Sequence, residues 1–81
     1  MVVPEWVVRE AAPHEDYTIE LVFADGQHRV FDAAPLLEES FYKPLRQLPR
    51  FLSARVECGT VVWDDDLDIA PETLYERSRV A

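Results

Sequence analysis

Asp64, Asp65, Asp66 and Asp68 form the densest run of potential metal ligands in the chain. Closely spaced carboxylates are what Ca²⁺ or Mg²⁺ require, so the cluster defines one reading, a divalent-metal-binding or small enzymatic domain built on the 64–68 acids. Its spacing does not fit a twelve-residue calcium loop. Counting from Asp64, the sixth position is Ile69 rather than glycine, and no glycine follows anywhere. The preferred reading of the cluster is a solvated turn leading into a last helix.

Other chemistry has less material. Ser40, Ser53, Ser78 and Cys58 lack the flanking residues of a nucleophile elbow, and the two unrelated histidines, His14 and His28, are weak material for a triad. A lone cysteine closes no intramolecular disulfide, and Gly26 and Gly59 are too few for a phosphate-cradling loop. No catalytic residue, metal ligand or cofactor is therefore assigned, and the chain is expected not to be an enzyme.

Charge carries more information. The formal net charge of −8 argues against nonspecific binding to nucleic acid or an anionic membrane, both of which need clustered lysine and arginine. From Tyr42 through Val56 there is no acid, while Lys43, Arg46, Arg50 and Arg55 fall in that window; from Glu57 through Glu76 there are seven acids and no base. Segregated charge of this kind predicts two distinct surfaces. Lys43, Arg46, Arg50, Arg55, Asp64, Asp65, Asp66 and Asp68 become candidate contacts for a protein partner or for a second copy of the chain.

The elements that must position these residues are legible from period and punctuation. With 81 residues, 48% of them hydrophobic and 30% charged, the chain is expected to form one domain over 1–81 with one modest core. No run approaches the roughly 18 apolar residues of a membrane span. The N-terminal MVVPEWVVRE lacks the pattern of a secretory leader, so a cytoplasmic location is expected. Tyr17, Ile19, Leu21 and Phe23 alternate as a strand with one buried face. Asp25-Gly26 reads as a two-residue type I′ hairpin loop into a strand over 27–32. That register pairs Ala24 with Gln27, Val22 with Arg29, Leu21 with Val30 and Glu20 with Phe31, and it sets His28 beside Phe23 at the rim of the core. A strand over Trp6–Ala11, with Trp6 and Val8 on one face, completes a three-stranded antiparallel meander.

Beyond Asp32, apolar residues recur at helical steps through Leu36, Leu37, Phe41, Leu45, Leu48 and Leu52, but Pro44 and Pro49 each remove an amide, so short helical turns are predicted with their basic side chains outward. Arg55–Cys58 and Thr60–Trp63 read as a second short hairpin around Gly59, with Val56 facing Val61 and Trp63 in the core. A short C-terminal helix opens at Pro71 and Glu72 and closes on Arg77 and Arg79, in accord with the helix dipole. The fold class is α+β.

Leu21-Val22-Phe23-Ala24-Asp25-Gly26, Val30-Phe31-Asp32 with Leu36-Leu37, Val62-Trp63 and Ala70-Pro71-Glu72-Thr73-Leu74-Tyr75 together resemble the small bacterial proteins called domain of unknown function 2442. The resemblance spans nearly the whole chain and implies a small α+β domain with an antiparallel sheet and no established catalytic residues. Members of that family often stand as one half of two-gene pairs suggestive of toxin–antitoxin modules, and longer ones append a helix-turn-helix segment that this sequence lacks. Direct nucleic-acid binding by this chain alone is therefore not expected. The sequence departs from the family pattern after Trp63, where Asp64-Asp65-Asp66 replaces a glycine-containing turn. The combined expectation is a non-enzymatic protein-interaction or regulatory module, with an antitoxin-like role implied by the resemblance.

Overall fold

A computed structural model of the chain describes residues 6–63 and 67–80. Strands β1 (Val8–Pro13), β2 (Thr18–Phe23) and β3 (His28–Asp32) form the antiparallel meander, and a two-residue strand near the C-terminus, β7 (Arg79–Val80), extends it to the order β1-β2-β3-β7. Two 3₁₀ turns (Leu36–Glu38 and Ser40–Arg46) and the single-turn helix α1 (Leu48–Phe51) follow the meander. A second sheet pairs β4 (Arg55–Glu57), β5 (Thr60–Val62) and β6 (Asp68–Ile69), after which helix α2 (Pro71–Arg77) leads to β7. The expected α+β arrangement of meander, short helical segments, second hairpin and C-terminal helix is present, enlarged by the short strands β6 and β7.

The two corners of the meander are built alike. At the first, His14 N–H donates to Thr18 O and Tyr17 N–H to His14 O; at the second, Phe23 N–H donates to Gln27 O and Gly26 N–H to Phe23 O. Each is a three-residue loop whose last residue is left-handed, Tyr17 at φ 65° and Gly26 at φ 86°. In each loop an aspartate sits before the left-handed residue and accepts the amide two positions on, Asp16 from Thr18 at 3.1 Å and Asp25 from Gln27 at 2.9 Å.

The three-residue loop corrects the expected register by one. Leu21 pairs with Arg29, Glu20 with Val30 and Ile19 with Phe31, not Leu21 with Val30. Because strand side chains alternate, this slip carries Phe31 into the core at 2% exposure and turns His28 out to solvent, away from the expected rim position. The type I′ geometry expected at Asp25-Gly26 occurs instead at the second hairpin, where Cys58 (φ 53°) and Gly59 (φ 77°) are both left-handed between paired Glu57 and Thr60. There Val56 faces Val61 as expected.

The first strand begins later than its sequence suggests. An irregularity between Val8 and Glu10 shifts the pairing with β2, so Val8 is buried while Arg9 and Glu10 are both exposed, and Trp6 lies in a turn before the strand at 39% exposure. Residues 7 and 8 are committed elsewhere: Val8 N–H donates to Gly59 O and Ala24 N–H to Val7 O. Pro44 and Pro49 interrupt helix as expected, but Phe41 and Leu52 of the apolar series are exposed, at 58% and 37%. Arg79 belongs to β7 rather than to the last helical turn.

One cluster of buried side chains joins both sheets and the helical segments: Ile19, Leu21, Phe23 and Phe31 from the meander, Leu45 and Phe51 from the middle, Val61 and Ile69 from the second sheet, Trp63 from the bend that follows β5, and Leu74 from α2. Trp63, 1% exposed, donates its indole N–H to Phe51 O at 3.1 Å and rests against Phe51 and Tyr42.

Candidate functional site

Alternation along β2 sends Ile19, Leu21 and Phe23 into the core and Thr18, Glu20 and Val22 to the opposite face. The observed registers set rows across that outer face: Ala12, Glu20, Val30 and Arg79 in one, Glu10, Val22 and His28 in the next. Val22 and Val30 are half-buried among exposed Glu10, Glu20, His28 and Asp32. Glu10, Ala12, Glu20, Val22 and His28 line a depression of about 360 Å³ together with the backbone neighbours Ala11, Leu21 and Arg29. A broader depression runs from Pro13 and His14 past Glu20 and Val30 to Leu52 and Arg79. Glu20 borders both, 3.3 Å from His14 Nε2. The arrangement is a mixed face, with Glu20 between Ala12 and Val30 in one row and Val22 between Glu10 and His28 in the next.

Two described groups have shifted titration, Asp16 at the margin of the broader depression and Tyr42 apart from both depressions. Asp16 accepts both the hydroxyl and the amide of Thr18, which hold its carboxyl below the ordinary aspartate value. Burial raises the Tyr42 phenol above its usual range, and the nearby charges of Asp68 and Glu39 push the same way. Tyr42 donates to Asp68 O at 2.9 Å. Both groups serve local structure. Among the described residues, no three His, Cys, Asp or Glu side chains are grouped so as to hold a metal ion. Asp64, Asp65 and Asp66, which carry the metal reading, lie outside the described residues. Asp68 is placed in strand β6 rather than in a turn.

The basic candidates are held by several elements. Lys43 and Arg46 are exposed on the second 3₁₀ turn, Arg50 on α1 and Arg55 on β4. Arg46 and Arg55 make internal contacts among the described residues. Arg46 donates through Nε to Leu37 O at 2.9 Å and approaches Glu38 at 3.4 Å; Arg55 donates through Nη1 to Trp63 O at 2.6 Å and pairs with Glu57 at 3.1 Å. Within the second sheet the described basic and acidic residues stand side by side, while Asp64, Asp65 and Asp66 of the acidic stretch lie outside the described residues. The Cys58-Gly59 turn folds acidic sequence back onto basic, and Arg55 and Asp68 flank Val62 in one row of the second sheet.

Sequence reading missed two groupings. The outer face needed the registers of three strands, although alternation alone already turns Glu20 and Val22 outward. A smaller cleft brings Trp6 to Glu72, Tyr75 and Glu76 of α2, and nothing local in sequence signals that meeting.

Among the described residues, no helix is long and apolar enough to cross a membrane. No curated protein and no solved structure matches the chain. The family model for a protein of unknown function, DUF2442, matches residues 8–80, from the first residue of β1 to the last of β7. A match of that extent, over the strands and helix just described, places the chain in the DUF2442 family.

Proposed function

We propose that this chain is a non-enzymatic protein-interaction module, the regulatory and antitoxin-like member of a two-protein pair, which docks its partner on the outer face of the four-stranded sheet. The observation that carries the reading is the composition of that face, where Ala12 and the half-buried Val22 and Val30 are interspersed with the carboxylates of Glu10, Glu20 and Asp32, with His28 and Arg79 in the same rows. Valines left half-exposed on a sheet face can be covered by a partner, and the carboxylates set among them speed and orient the approach of a basic one. A net charge of −8 adds to the same attraction.

The test is co-purification from the native cell with the wild-type chain and with the double variant Glu10→Lys/Glu20→Lys. Both positions are exposed, so the variant is expected to melt with the wild type yet lose the partner. Retention of the partner at an unchanged melting temperature would remove the outer face from the mechanism. Calorimetric binding of Ca²⁺, Mg²⁺ or Mn²⁺ tighter than about 10 μM, the weak end of sensor-type sites, would favour the metal-binding alternative at Asp64–Asp68.

A further inference from the structure

Helix α2 presents Glu72, Tyr75 and Glu76 at positions three and four residues apart, hence along one stripe of its surface. Trp6, from the turn before β1, closes this stripe into a cleft of about 220 Å³ lined by these four residues. None of them lines the depressions of the outer sheet face. The volume is below the roughly 300–1,000 Å³ of pockets that hold cofactors and drug-sized ligands, and suits a single side chain.

The lining specifies which side chain. Trp6 keeps 39% of its surface exposed, so its indole is accessible to a partner, and tryptophan is enriched among the anchors of protein interfaces. Glu72 and Glu76 are exposed, and neither has an ion-pair partner among the described residues. An indole and two carboxylates lining one cleft attract a planar cation through both the ring quadrupole and direct charge. The molecule already shows this chemistry internally on the same helix. The Arg29 guanidinium lies 4.2 Å from the centroid of Tyr75 and donates to Tyr75 O.

We infer that the Trp6–Glu72–Tyr75–Glu76 cleft is a receptor for one arginine side chain of a basic protein partner. The guanidinium stacks on Trp6 and bridges to the carboxylates of Glu72 and Glu76, which anchors the partner at a point separate from the sheet face. Arginine fits better than lysine because its planar fork can stack and donate to two acceptors at once. The inference rests on the interaction reading only for the identity of the molecule that carries the arginine. The selectivity of the cleft stands by itself.

The experiment is a titration of the ¹⁵N-labelled chain with N-acetyl-arginine amide, followed by NMR at constant ionic strength. N-acetyl-citrulline amide, the same shape without charge, and N-acetyl-lysine amide serve as comparison probes. The chain has two tryptophans, so two indole N–H signals report separately on Trp6 and on buried Trp63. Arginine amide is expected to shift the Trp6 signal saturably, with an apparent dissociation constant on the order of millimolar, and to leave Trp63 still. Lysine amide is expected to bind more weakly, and citrulline amide at least about tenfold more weakly. Glu72→Gln/Glu76→Gln should weaken arginine binding by roughly threefold to tenfold, and Trp6→Ala should abolish the shifts of the α2 amides. Equal binding of citrulline, an unshifted Trp6 signal, or full affinity in the double glutamine variant at an unmoved Trp63 signal would overturn the inference. The outer-face reading is untouched by that failure, since Glu10→Lys/Glu20→Lys leaves this cleft intact.

Discussion

Tyr17 and Gly26 occupy the same left-handed position in the two corners of the meander, but only one of them is glycine. Tyr17 accepts the strain because its ring packs edge-on against Phe51 at 5.0 Å and its hydroxyl donates to Arg46 O. Gly26 and Gly59 allow the cost of φ to be separated from the cost of space. A Cβ at Gly26 meets nothing within 4 Å, so Gly26→Ala bears only the left-handed backbone penalty, about 1–2 kcal/mol. At Gly59 a Cβ would stand 2.9 Å from Val7 Cγ1, so Gly59→Ala adds a steric clash and should lose about 2–4 kcal/mol. Urea midpoints of the two variants decide this, and equal losses would show that Val7 yields freely. Asp16 supplies a pH-dependent counterpart. Its folded-state pKa is lowered from 3.8, chiefly by the Thr18 hydroxyl and amide, so its stabilisation is complete above that value and lost as pH falls through the lower folded value. Melting temperature followed downward from about pH 5 should fall less steeply in Asp16→Asn than in the wild type.

At the scale of elements, short pieces are held by side chains that leave them. Helix α1 spans only Leu48–Phe51, too short to persist alone, and Trp63 secures it by donating to Phe51 O while its ring packs on Phe51. Trp63→Ala should therefore cost about 3–5 kcal/mol through the cavity it leaves. Trp63→Phe keeps an aromatic ring but strips Phe51 O of that donor, for a smaller loss of about 1–3 kcal/mol. Equilibrium unfolding of both variants orders them, and a Trp63→Phe loss as large as that of Trp63→Ala would show that the hydrogen bond, not the ring, secures the helix. Strand β4 is tied in a similar way, because Arg55 reaches across the hairpin to Trp63 O.

For the whole molecule, the two sheets do not have separate interiors. Val61 and Ile69 of the second sheet and Trp63 just beyond β5 share one cluster with Ile19, Leu21 and Phe23 of the first, and Val8 N–H reaches Gly59 O between them. Neither sheet can bury its apolar face without the other, so the molecule should unfold in one cooperative step. Far-UV circular dichroism reports backbone in both sheets, whereas near-UV signal is dominated by packed aromatics such as Trp63. Coincident transitions are expected, and an early near-UV transition would show that the second sheet loosens first.

What the sequence determined by itself is whatever rests on neighbours a few residues apart. Alternation picked out Ile19, Leu21 and Phe23 as the core face of β2, prolines predicted the broken helical segment, and the pairing of Val56 with Val61 followed from the short runs around Gly59. What tertiary structure decided turns on one-residue choices or on distant partners. Asp-Gly is compatible with a two-residue or a three-residue loop, and the choice that buries Phe31 was made by the core, which gains more from that ring than from Val30. Strands β6 and β7 are two residues long and show no period of their own; pairing to Val61, Val62, Arg29 and Val30 creates them. The tight turn at Cys58-Gly59 reverses the chain where the basic stretch gives way to the acidic one, and it is the hairpin, not sequence order, that sets Arg55 and Asp68 on either side of Val62. The cleft between Trp6 and α2 joins residues from opposite ends of the chain, and only the packing of α2 against the meander, with Phe23 on Tyr75 at 5.0 Å, brings them together.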